Sequence, residues 1–142
     1  MIKYILKQIK NVESKVNDKW FAYPVREEVV SLEKLSEHMA AHNTPYSAGA
    51  IKGILTDMVT CIKELLLEGK SVKIPNLAIF SVGIKNNPGG AESEELFSVQ
   101  ENVKNVRMLA RSTGSLSPKK LDLDATLKKA TVIVGAKKKE ED

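Results

Sequence analysis

At 142 residues the chain has the length of one compact domain, or of one domain plus a short extension. Its 42% hydrophobic, 28% charged and 5% aromatic content is that of a soluble globular protein, and no apolar run approaches the roughly 20 residues needed to cross a bilayer. One cysteine and two histidines exclude an internal disulfide and leave no readable metal cluster, while the net charge of +4 says less than its distribution along the chain.

The opening MIKYILKQIK mixes apolar and basic positions, with neither the apolar core nor the small-residue cleavage site of a signal peptide, so a cytoplasmic protein is expected. Residues 2–10 and 19–29 read as strands, because Trp20, Phe21, Tyr23, Val25, Val29 and Val30 suit a pleated surface. The polar residues 11–18 would join them as a hairpin. These aromatics are read as anchors for the extension rather than as a base-stacking platform.

Ser31 is a candidate N-cap, with Glu33 in the first turn, for a helix whose stripe is Leu32, Leu35, Met39 and Ala40 and which ends near His42-Asn43, before Pro45. His38 and His42 lie one turn apart. Without a third ligand they are read as polar helix surface. Ser47 caps the clearest element of the chain. There Ile51, Ile54, Leu55, Met58, Val59, Ile62, Leu65 and Leu66 recur at three-and-four spacing, and Gly69 supplies the left-handed stop. Cys61 is read as a small buried hydrophobe within this helix. The stripe is about 33 Å long at roughly 1.5 Å per residue, more than one short helix covers. It calls for a sheet, a second copy of the chain, or both.

Residues 71–74 and 77–84 alternate as strands around a Pro75-Asn76 corner, with Val72, Ile74, Leu77, Ile79 and Val82 inward. The pattern then breaks into Asn86-Asn87-Pro88-Gly89-Gly90 and the acidic Glu92, Glu94, Glu95 and Glu101. Strand character resumes over 103–110. Residues 117–129 read as a helix capped by Ser117, with Pro118 at the first helical position and Leu121, Leu123 and Leu127 as apolar residues. Residues 131–134 read as a last strand and 137–142 as a disordered charged tail. Over 103–129, seven basic residues (Lys104, Arg107, Arg111, Lys119, Lys120, Lys128 and Lys129) face only Asp122 and Asp124, a local +5 that could attract a polyanion.

Two helices, the second long and ended by glycine, then GKSVKIPNLAIFSV with Phe80, an excursion, a basic strand and a final helix: this order resembles the HU and integration host factor family of bacterial DNA-binding proteins. The resemblance spans residues 31–129, and its specific residues lie mainly within 47–82. The N-terminal hairpin and closing strand resemble an HU-like subgroup with added β extensions and a shortened arm. The family implies an α+β fold, with two helices in the N-terminal half, a β-sheet saddle and a C-terminal helix, interlocked as a homodimer. The expected organisation is a β-hairpin extension over 1–30, an HU-like domain over 31–134 and a tail over 135–142.

In the family, arms enter the minor groove and a proline unstacks base steps. Asn87-Pro88 resembles that arm tip, and an ordinary Pro-Gly loop is the competing reading. This chain departs from the pattern: seven residues separate Phe80 from Pro88, the returning side is acidic, Asn86 stands where a basic residue is usual, and the phenylalanine near Ala110 is absent. The expected DNA-binding residues are Lys85, Asn87, Pro88, Lys104, Arg107, Arg111, Lys119 and Lys120. Lys119 and Lys120 oppose the dipole at a helix start, a cost that points to another use.

The function expected is non-enzymatic, nucleoid-associated architectural binding of double-stranded DNA, with little sequence specificity. No catalytic residue, metal, cofactor, membrane or small-molecule substrate is expected, since the chain has neither a phosphate loop nor a nucleophile elbow. The alternative is an HU-fold interaction or assembly module without DNA affinity.

Overall fold

The structure, a computed structural model, describes residues 1–131. The expected strand beyond Thr131 and the charged tail lie outside the described residues. The chain forms two compact units, one of Met1–Val29 with the chain from Asp122 onward, the other of Val30–Leu121.

In the first unit, β1 (Ile2–Gln8) and β2 (Trp20–Pro24) pair antiparallel, from Tyr4 opposite Pro24 to Gln8 opposite Trp20. Their connection is built from its own polar side chains. Asn17 Oδ1 accepts from the Asn11 N–H at 2.9 Å, and Asp18 takes the left-handed conformation, φ 64°. Lys7 Nζ lies 5.1 Å from the Tyr23 ring centroid, a cation–π contact across the hairpin. The second strand stops earlier than its composition predicts. Beyond Pro24, Val25 N–H donates to Lys3 O at 2.8 Å and Lys3 Nζ pairs with Glu27 Oε1 at 3.3 Å, while Val29 is exposed.

The third strand of this sheet, β6 (Leu127–Lys129), runs parallel to β1, giving the order β2-β1-β6. It corrects the helix expected over 117–129. That helix ends at Asp124, and Leu127, which continues the leucine spacing, belongs to a strand whose partner lies at the other end of the sequence.

In the second unit, α1 (Leu32–Ala40) and α2 (Ala48–Leu67) start where expected: Ser31 Oγ accepts from Lys34 N–H and Ser47 Oγ from Ala50 N–H. Each such cap is worth about 1 kcal/mol. Gly69 at φ 77° ends α2, its N–H donating to Leu66 O while Lys70 N–H donates to Leu65 O. Then β3 (Val72–Ile74), β4 (Ala78–Asn86) and β5 (Val103–Ser112) form an antiparallel sheet in sequence order.

Asn76, φ 61°, makes the β3–β4 corner and its Oδ1 accepts from Ser115 N–H at 3.0 Å. Thr113 Oγ1 donates to Ile74 O at 3.0 Å. These bonds fasten the chain leaving β5 to the corner. Between β4 and β5 lies α3 (Val99–Asn102), a single turn, and after β5 a 3-10 turn at Gly114–Leu116 leads into α4 (Pro118–Asp124). The Ser117 hydroxyl does not cap α4. It donates to Gly114 O at 2.7 Å, while its carbonyl accepts from Leu121 N–H.

The core is thin. Among the described residues only Ile51, Leu66 and Ala78 are buried hydrophobics. On α2, Ile54 and Val59 are 60% and 61% exposed. Cys61, expected to be buried, is exposed as well, because nothing among the described residues covers it.

Candidate nucleic-acid interface

Successive strand residues point to opposite faces, so the register sorts the sheet of the second unit. Phe80, Val82 and Ile84 stand opposite Ala110, Met108 and Val106. This face looks toward α2, and with Met58, Ile62 and Leu66 it lines an apolar groove of about 410 Å³. The other face carries Ile79, Ser81, Gly83 and Lys85 on β4, with Arg111, Leu109, Arg107 and Asn105 opposite them. Lys73, paired with Ile79, joins that face from β3. One face of the sheet is apolar and the other cationic.

The three strands contain Lys73, Lys85, Lys104, Arg107 and Arg111 and no carboxylate. All five cations are exposed, and among the described residues none is ion-paired. Arg107 is diagonal to Lys85, about 7–8 Å away. Arg111 lies in one row with Ile79 and Lys73, about 10 Å across two strand spacings. Gly83 keeps the surface low: a Cβ there would come within 3.0 Å of Leu109 Cδ1.

The expected residues therefore divide. Lys85, Arg107 and Arg111 share the cationic face. Lys104 stands at an irregularity, where Asn86 pairs with Val103 although Lys85 pairs with Asn105, so the strand alternation does not carry it onto that face. Lys119 and Lys120 occupy the first turn of α4, off the sheet, and are exposed. Lys73 was missed. The lysine alternates with Val72 and Ile74, but which face it joins depends on the corner's register.

Asn87 and Pro88 sit at the end of the β4–β5 ribbon. Asn87 holds the tip together: its N–H donates to Asn102 O at 2.8 Å and its Nδ2 to Glu101 O at 2.7 Å. Asn102 answers, with Nδ2 donating to Gly90 O and Oδ1 accepting from Ser98 N–H. Pro88 is exposed ahead of Gly89 and Gly90, at φ 96° and 61°. The returning segment presents Glu92, Glu94 and Glu95 with exposed Leu96, Phe97 and Val99.

Residues 1–116 match the family described as an HU domain fused to wHTH, Ig, or Glycine-rich motif. The chain belongs to this family. The match takes in the N-terminal hairpin as well as α1 to α3 and the sheet of the second unit. This HU-type chain is also similar in fold to a crystal structure from Bacteroides vulgatus ATCC 8482, named a putative bacterial DNA binding protein. The likeness has a TM-score of 0.66 at 14% identity and covers 90% of this chain and 47% of that one, so the chain spans about half the length of that neighbour. No curated protein matches the sequence. Among the described residues no helix is long and apolar enough to cross a membrane.

Proposed function

We propose that this HU-family chain binds double-stranded DNA as a non-enzymatic, nucleoid-associated architectural protein of the bacterial cytoplasm, with little sequence specificity. The observation that carries this reading is the unpaired cationic face of Lys73, Lys85, Arg107 and Arg111, with no carboxylate on its three strands. Cations of this kind neutralise phosphates and release counterions, which gives salt-sensitive binding without base readout. The family and the similar fold of a protein named for DNA binding support the same conclusion.

The binding form is a homodimer. Its support is the apolar groove between α2 and the sheet, which a second copy would cover, together with the scarcity of buried hydrophobics among the described residues. Asn87 closes the arm tip, Pro88 leads it, and Lys104, Lys119 and Lys120 add flanking charge. A second reading, an assembly module without DNA affinity, is favoured by one feature: acidic and apolar side chains at the tip, where phosphates would be repelled.

Fluorescence anisotropy of a labelled duplex across a salt series separates the two readings. DNA binding predicts a linear fall of log K with log salt, with a slope of about 0.9 for each phosphate neutralised. Absence of binding at low salt would eliminate the DNA reading and leave the module.

A further inference from the structure

The chain's two histidines, set aside above as helix surface, are brought together by the end of α1. His38 lies in the last helical turn and His42 follows the C-cap Ala41. Ala41 N–H donates to Glu37 O and His42 N–H to Met39 O, each at 3.1 Å, and Asn43 then turns away at φ 40°. The result is an Nε2 to Nε2 separation of 3.1 Å, with ring centroids 4.7 Å apart at an interplanar angle of 65°. The nitrogens are closer than the ring centres, so the coordinating edges face each other. Both side chains are exposed.

The two Nε2 atoms lie at hydrogen-bond distance, with donor and acceptor set by the tautomers. Two nitrogens 3.1 Å apart also suit one shared ion: at metal–nitrogen distances of about 2.0–2.1 Å they subtend about 100°, between square-planar and tetrahedral angles. The carbonyl end of α1 adds the negative end of a helix dipole, which favours a cation there.

We propose that His38 and His42 form a bidentate site for a late first-row divalent metal ion, with copper(II) held more tightly than nickel(II) or zinc(II). No group of three His, Cys, Asp or Glu that could hold a metal occurs among the described residues. Water therefore completes the coordination, and the ion is exchangeable. This site is separate from the cationic sheet face and independent of whether that face binds DNA.

The test uses the full, untagged chain in a Cys61→Ser background, which removes the exposed thiol as a competing ligand. Copper(II), nickel(II) and zinc(II) are titrated calorimetrically, and the copper form is read by electron paramagnetic resonance. The expected result is one ion per chain, affinity in the order copper above nickel and zinc, and superhyperfine structure from two nitrogens. His38→Gln and His42→Gln should each weaken copper binding at least about tenfold, and the double variant should lose the nitrogen signature. Should a variant fail to fold, zinc titration of the parent by NMR serves, since both imidazole Nε2 signals should shift together and saturate at one equivalent. Undiminished affinity in the double variant, two independent single-imidazole sites, or no binding would each overturn the proposal.

Discussion

Gly114 takes φ 55° where the chain leaves β5, and a Cβ built there would collide with Asn76 Oδ1, the atom that accepts from Ser115 N–H. Gly114→Ala thus meets an unfavourable backbone conformation and breaks the latch between the corner and the β5 exit. The expected loss is about 1–3 kcal/mol, read as a lower urea midpoint at unchanged slope. Charge reversals separate the cations in the same residue-by-residue way. Arg107→Glu and Arg111→Glu, on the common face, are expected to weaken duplex binding more than Lys104→Glu at the register irregularity, and the double arginine variant to flatten the salt dependence by about two phosphate contacts. Equal effects from all three would mean that net charge, not the face, governs affinity. Residue identities announced part of this pattern: Ser31, Ser47 and Gly69 each perform the role their chemistry suggests, whereas Ser117 directs its hydroxyl to Gly114 O, a choice that depends on a 3-10 turn with no local sequence signature.

At the scale of elements, α2 and the β4–β5 face share one apolar groove, and a charge inside it should act on association. Ile62→Glu is expected to raise the dimer dissociation constant at least about a hundredfold, some 2.7 kcal/mol, measured by sedimentation equilibrium. An unchanged constant would move the interface elsewhere. The groove was legible in outline because period-3.6 and period-2 apolar patterns mark α2 and the strands wherever local periodicity and burial agree. Two of the misreadings concern packing that local periodicity does not carry. Leu127 fits a helical repeat with Leu123, yet an exposed edge of β1 captures residues 127–129 as a strand. Cys61 fits an apolar helix, yet it is exposed, because apolar periodicity alone does not say which positions gain cover. At the candidate site, Arg107 and Arg111 were legible from their even spacing on one strand. Lys73 was not, because its face depends on how tightly Pro75-Asn76 turns.

For the molecule as a whole, a single chain with so few buried hydrophobics should owe much of its stability to association. Its melting temperature is expected to rise with protein concentration, by mass action on the folded dimer, and calorimetric scans over a hundredfold concentration range would record this. A concentration-independent transition would assign that stability to the isolated chain. The parallel pairing of Ile2 with Leu127 bears on a different matter, the order of events during synthesis. On a ribosome, β1 and β2 emerge well before β6 and can form their hairpin at once, but one edge of β1 stays uncovered until more than a hundred further residues have been translated. That edge, next to Ile2 and Leu6, is a period of vulnerability for the nascent chain. β1 is made early and completed only by a strand made much later.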